Sequence, residues 1–574
     1  MSYSQLGYIR PALTGDRRLA FGASNEFAVA SGGQNITCFA TTSQNFSSNQ
    51  ITWNIDTNNA STAICRDVKV KIQFKVVIDA IANAQGTPVS IGLYDAPRAF
   101  PLAKVTSSMQ LRLNGATLTQ ENYRLVDALT RLNVTDEEYK ALVSTTPTCQ
   151  DYYSWYGQAD STGEGGSKNP LLKAGGMDST FEPRGGWKII SLVNPVVGQG
   201  NPGRAEIVFE VSETLLLSPM SVYHDDRAAL IGLINFGVTI SFTDSLARVW
   251  SHSDSPNAST ITAITATVNT PPTLLYTSIQ PSVLDNIPER AIYSYSRVQY
   301  VPWTGIPPCA SGASVTTTSN NIVVGQVPRR IIVWMTQTDG TKSVTSSDTF
   351  FRIDSVNITW GNLNGILTQA TTEQLYNISR EAGYECSFNA WNQYTGSLLV
   401  LDMTKSIMLS NPAEAPGISS SNNFQIQITA TNLTPYTLTP QLNIAVCYDS
   451  LLIIENGIAQ CTDSVLTVED VAEARASGMV VAYDRPSNMY GGKMRRMDGH
   501  HHGGSFLSKV GKAAQQANAF AQKTHLLSNA AALTGNPNIA QATRLFGYGD
   551  GGEGGALLGG RRASRAALLS RSHY

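Results

Sequence analysis

The stretch "LNGATLTQ" at Leu113–Gln120 returns as "LNGILTQ" at Leu363–Gln369, 250 positions later. A second pair joins "IVFEVSETLLLSP" (Ile207–Pro219) to "LVLDMTKSIMLSNP" (Leu399–Pro412). Each has an apolar strand, an acid at Glu210 or Asp402, hydroxyl residues, and a leucine-like run closed by Ser and Pro. A third joins "FGVTISFTD" (Phe236–Asp244) to "FQIQITATN" (Phe424–Asn432). Three echoes in one order imply a duplicated unit, so the chain is restricted to folds built of two like halves. The offsets shrink from 250 to 192 and then to about 188, so the first copy holds about 58 residues that the second lacks. The surplus is visible as "YSWYGQADSTGEGGSKNPLLKAGGMDSTFEPRGGW" (Tyr153–Trp187), a Gly-rich run with turn chemistry throughout.

Each copy reads as many short strands. In "VKVKIQFKV" every odd-phase residue (Val68, Val70, Ile72, Phe74, Val76) is apolar and every residue between is polar, the period-two mark of a half-buried strand. Phe236, Val238, Ile240 and Phe242 alternate in the same way, as do Phe424, Ile426, Ile428 and Ala430. After each "LNG" comes a short helical pattern, "TQENYRLVDALTRL" in the first copy and "TTEQLYNISREAG" in the second. About eight strands of ordinary length per copy fit a sandwich of two sheets. The expected fold is all-β: two tandem jelly-roll β-sandwiches with short helices and a Gly-rich basic C-terminal tail. The expected divisions are an N-terminal arm over 1–50, a first roll over 51–285 with an insertion at about 145–204, a second roll over 286–484, and a tail over 485–574. Only 15% of residues are charged, against about a quarter in an average globular chain, and hydroxyl and amide residues fill the gap.

The seven cysteines are scattered, odd in number and without a CxxC pair, which argues against a disulfide framework or a structural zinc site. They read as free thiols of a reducing compartment. The N-terminus lacks an apolar signal-peptide core, and the longest apolar stretch, "AALIGLINFGVTI" (Ala228–Ile240), is shorter than the roughly 18–20 residues that span a bilayer. No stable membrane insertion is expected.

Chemistry-bearing clusters are sparse. "YHDD" (Tyr223–Asp226) offers one imidazole and two carboxylates, but no third ligand lies at a known spacing. Asp136 and Glu138 in "TDEEY" read as a solvated acidic turn, and His500–His502 as an incidental metal binder. "GEGGSK" lacks the spacing and following helix of a phosphate loop. The expectation is no catalytic, cofactor-binding or metal site, and no cofactor. A sandwich-fold carbohydrate hydrolase is the enzyme alternative, and paired carboxylates in one cleft would be its signature.

The tandem rolls, the insertion, the phrase "APRAFPLAKVTSSMQLRLNGATLTQ" (Ala96–Gln120) and the detached tail resemble the double jelly-roll major capsid proteins of the adenovirus, polinton-like virus and virophage lineage. The likeness spans about residues 50–485. It implies a structural subunit of an icosahedral DNA-virus shell, in which three chains form a six-lobed capsomer. The partners implied are further copies of the chain, minor capsid or vertex proteins, and a maturation protease. The location implied is the virion, after synthesis in the host cytoplasm and with the nucleus as one place of assembly. The alternative is another virion protein, such as a vertex protein, a spike or a single-roll capsid protein with a projecting domain.

From Gly491 to Tyr574 there are eleven Lys/Arg against three Asp/Glu, whereas the whole chain carries a net −2. An acidic body with a basic end points to two tasks, and the basic end could touch packaged nucleic acid through sequence-blind, salt-sensitive charge contacts. "SFLSKVGKAAQQANAFAQKTHLLSNAAAL" (Ser505–Leu533) reads as an amphipathic helix whose mostly alanine face gives modest membrane affinity. The tail also holds "MYGGK" (Met489, Gly491, Gly492, Lys493), "LFGYG" (Leu545, Gly547, Gly549) and "LLGGR" (Leu557, Gly559, Gly560, Arg561). These resemble the sites cut by adenovirus-type maturation proteases, and none occurs in residues 1–488. Cleavage at Gly492–Lys493 would release the tail.

Overall fold

Alternation becomes burial along the longest strand of the first half: in Lys69–Ile81 the side chains of Val70, Ile72, Phe74, Val76 and Ile78 are buried, while those between are exposed or half-buried. Removing each such side chain from water contributes about 1.5–3 kcal/mol. The computed structural model describes residues 13–16, 28–31, 35–57, 62–91, 94–98, 100–133, 188–220, 229–252, 257–280, 290–403, 405–407 and 415–463. The tail residues Met489–Arg561, the helix expected over 505–533, Tyr223–Asp226, Asp136, Glu138 and His500–His502 lie outside them.

The first half runs β1 (Asn35–Thr42), β2 (Gln50–Asp56), β3 (Lys69–Ile81), β4 (Thr106–Leu113), β5 (Ala116–Gln120), α1 (Asn122–Asn133), β6 (Pro202–Thr214), β7 (Asn235–Phe242) and β8 (Thr273–Gln280). The second runs β9 (Arg290–Trp303), β10 (Ser314–Thr318), β11 (Arg330–Gln337), β12 (Arg352–Trp360), β13 (Leu363–Ile366), α2 (Thr372–Glu381), β14 (Leu399–Asp402), β15 (Asn423–Thr431) and β16 (Pro440–Glu455). In the first half one sheet has the order β6–β3–β8–β1 and the other β5–β4–β7–β2. In the second the orders are β14–β11–β16–β9 and β13–β12–β15–β10. Lowering each label of the second half by eight reproduces the first. The two halves share one topology strand for strand, with a helix after the fifth strand of each.

Further strands lie outside this common plan, and three of them widen its sheets. Lys188–Val193 extends the first roll's sheet beyond β6, Thr260–Val268 pairs with β3, and Ile458–Thr462 pairs with β16. The first roll's strands begin at Asn35, inside the residues 1–50 read from sequence as an arm, because β1 pairs with β8 along its whole length. The segment read as an insertion over 145–204 likewise ends in sheet, at Lys188–Val193 and the start of β6.

The "LNG" words are three residues out of step with the turns. In the first half Asn114 and Gly115 (φ 43° and 93°) form the two-residue turn joining β4 to β5, a conformation that suits Asn-Gly. In the second the chain turns at Gly361 and Asn362, where Trp360 faces Leu363, and Asn364–Gly365 sit within β13. The helices keep the 250-residue spacing. Thr371 caps α2 reciprocally with Gln374: Thr371 N–H donates to the amide oxygen (2.9 Å), and Gln374 N–H donates to the Thr371 hydroxyl (3.3 Å).

Candidate functional site at the seam between the rolls

The two rolls exchange parts. Leu125, Ala128, Leu129 and Leu132 of α1 belong to the second roll's hydrophobic core, with Phe350, Trp334 and Trp391. In return Ala291 and Tyr293 of β9, Leu452 and Ile454 of β16, and Ala459 belong to the first roll's core. Ile231 N–H donates to the Tyr293 hydroxyl at 2.8 Å, and burial pushes that phenol up to about 12. At Gly232 (φ +82°) a Cβ would stand 2.8 Å from Ile454 Cγ2, so the chain passes the intruding strand where a larger residue would collide.

Charge follows the same seam. Asp348, between β11 and β12, is reached by Lys104 (2.9 Å), Arg248 (2.9 Å) and Arg98 (3.5 Å), all from the first roll. Burial alone would raise the Asp348 carboxyl, but the three cations outweigh it and hold the group far below the usual carboxylate range. Lys104 also pairs with Asp127 of α1. Arg131 donates to the carbonyls of Thr395 (2.7 Å) and Asp348 (2.6 Å), with its guanidinium 3.7 Å from the Phe350 ring centre. Arg124 pairs with Asp339 at 3.1 Å and lies 5.5 Å from the Tyr300 ring centre. Glu213 of β6 accepts from the N–H groups of Leu102 (2.7 Å) and Ala103 (3.0 Å). Its burial nevertheless raises it to about 7, those donors and Lys104 only partly offsetting the effect.

His252 is buried between the Asp95 carboxylate (2.7 Å) and the Ser259 carbonyl (2.8 Å), while Trp250 Nε1 donates to the same Asp95 oxygen at 3.2 Å. His252 N–H also reaches the Val344 carbonyl of the second roll at 3.1 Å. This arrangement holds two chain segments to the seam. Among the described residues no cluster of three or more His, Cys, Asp or Glu is placed to hold a metal, and no helix is long and apolar enough to cross a membrane. The residues singled out in the sequence for processing or metal binding lie outside the described residues. At the seam stand Asp348, Lys104, Arg98 and Arg131; Arg98 and Lys104 belong to the phrase Ala96–Gln120, but nothing in the sequence marked any of the four for this contact. The one signal available was compositional: α1 has a wider apolar stripe than α2, and arginines flank it.

Comparison with known proteins bears on what such a pair of locked rolls does. The family model described as the Sputnik virophage major capsid protein 1st domain matches residues 9–284, and that of the major capsid protein V20 C-terminal domain matches 307–395. The putative capsid protein V20 of Sputnik virophage is 27% identical, with 96% of each chain covered. The chain belongs to the double jelly-roll major capsid proteins.

Solved capsid proteins of this kind share the architecture. The Sputnik virophage structure from cryo-electron microscopy is 26% identical with a TM-score of 0.69, covering 79% of this chain and 94% of the other. The mavirus major capsid protein, at 16% identity, shares the fold with a TM-score of 0.59, covering 76% and 92%. As a double jelly-roll major capsid protein the chain is a structural component of a virion, not an enzyme. Its functional site is accordingly a set of contact surfaces, and the seam is the one contained within a single chain.

Proposed function

We propose that three copies of this capsid protein close into a ring of six similar lobes, and that this capsomer tiles an icosahedral shell. The supporting observation is the shared strand order of the two halves, joined at a fixed seam. A head-to-tail contact repeated about a three-fold axis closes without leaving an unpaired end, and two like rolls per chain then give six near-equivalent lateral faces. Light scattering on the purified protein tests this. The mass of three chains supports the reading, and a monomer or dimer at micromolar concentration contradicts it.

The tail reading belongs with this proposal. Cleavage by a virion protease after Gly492, or at the Leu545 or Leu557 sites, would separate the globular body from the basic segment. That segment would meet packaged nucleic acid through charge alone. Minor capsid or vertex proteins would occupy lateral faces left by the ring, and assembly would follow synthesis in the host cytoplasm or proceed in the nucleus. Intact mass of protein from virions, set against the full-length chain, tests the cleavage.

A further inference from the structure

The helices α1 and α2 occupy the same place in their rolls and keep one spacing, yet they are covered differently. At the positions 125/375, 126/376, 129/379 and 132/382 both copies are buried. Elsewhere α2 is the more open: Ala128 is buried and Ile378 half-exposed, Arg131 is buried and Glu381 exposed, and Asp127 is half-buried and Asn377 exposed. The difference is what the second roll covers on α1, where Arg124 and Arg131 reach Asp339, Asp348 and Thr395. Beside α2 that space is an open groove of about 580 Å³, lined by Leu367, Ala370, Gln374, Asn377, Ile378 and Glu381.

The missing cover has a counterpart in the first roll. Over α1 it is provided partly by β9, whose Tyr300 faces Arg124 and packs against the second core. The topological equivalent of β9 is β1, an edge strand of the first roll. Residues 36–42 of β1 include none that is buried, and Ile36 and Phe39 are 47% and 40% exposed. An exposed apolar edge strand is a template for association.

We propose that the α2 groove and β1 are two halves of one contact between copies of this chain: α2 of one copy receives the first roll of the next, as α1 receives the second roll of its own. The occupant is a second copy because the chain already contains the same contact once, between rolls of the same topology. In a ring each chain then gives one groove and takes one β1, and the contact closes after three. This rests on the trimer reading above and specifies which surfaces form it.

Cys38 lies on β1 and is exposed, which provides a native handle. N377C and E381C, each treated with a short bismaleimide at a concentration where light scattering reports the oligomer, should give covalent dimers and then trimers on a denaturing gel, with no larger rung. C38S in the same backgrounds should abolish the ladder. A trimer by scattering with no Cys38-dependent ladder from either variant would overturn this assignment while leaving the trimer intact. Absence of any trimer would instead remove the reading beneath it. Crosslinks confined within one chain would place one of its own segments in the groove, against the proposal, and a ladder that stops at dimers would show a two-fold contact and refute it. I378R gives a second arm: it should lower the trimer fraction at least tenfold at fixed concentration without lowering the monomer's thermal midpoint. An unchanged trimer fraction would count against the groove.

Discussion

Asp348 of the second roll and Lys104 of the first meet at 2.9 Å with side chains 1% and 3% exposed, and Arg98 and Arg248 converge on the same carboxylate oxygen. The seam is therefore fixed by charge as well as by apolar packing. Removing the anion leaves three buried or nearly buried cations without their shared partner. D348N should cost about 3–5 kcal/mol and lower the melting temperature by several degrees. Calorimetry on the purified variant checks this, and loss of the Arg131 contact to the Asp348 carbonyl is not part of the change because the backbone stays.

The same residue sets an acid limit. A carboxyl held below its unfolded value contributes stability that is fully present above about pH 4 and is lost as pH falls below it. Denaturant titrations from pH 5 to pH 2 should show a steep loss in the native protein and a shallower one in D348N. Parallel curves would mean that another group sets the limit.

Glu213 acts with the opposite sign. Its carboxyl is raised to about 7 from 4.5, so the folded form binds its proton more tightly than the unfolded form. Stability from this group is therefore greatest below about pH 4.5 and declines as pH rises to about 7. Unfolding free energies between pH 5 and pH 8 should slope downward in the native protein. E213Q should flatten that slope, whatever its effect on absolute stability.

Leu129 and Ile378 test the difference between a covered and an open helix. Leu129 is 2% exposed within the second core, so L129A should destabilise the single chain by about 2–5 kcal/mol. Ile378 is half-exposed, and I378A should cost the monomer far less. Thermal melts of both variants under monomeric conditions provide the comparison.

Two glycines separate strain from collision. Gly115 (φ +93°) has nothing within 4 Å of an added Cβ, so G115A should cost only the left-handed penalty of about 1–2 kcal/mol. At Gly396 (φ +82°) the added Cβ would fall 2.0 Å from the Phe350 carbonyl oxygen, next to the ring on which Arg131 stacks. G396A should therefore be much the worse of the two, read as soluble yield and melting temperature.

Much of the fold was legible because alternation and duplication are local signals. The residues of "FGVTISF" and "FQIQITA" lie in β7 and β15, equivalent strands that each occupy the third place in their sheet. The "LNG" words sit three residues apart in structural register because an Asn-Gly pair serves a turn at Asn114 and a strand at Asn364; which role it takes depends on Trp360 pairing with Leu363, a choice made by the sheet. β1 was missed because none of its residues from 36 to 42 is buried. The seam was not legible. Lys104, Arg131 and Asp348 are distant in sequence, and only the packing of α1 against the second roll brings them together.

Electron cryomicroscopy of the purified assembly tests the central claim most directly. The result expected is a three-chain particle with six lobes, in which α2 of each chain meets β1 of its neighbour in the attitude that α1 takes toward the second roll. A particle of another stoichiometry, or a trimer whose α2 grooves all face solvent, would contradict it.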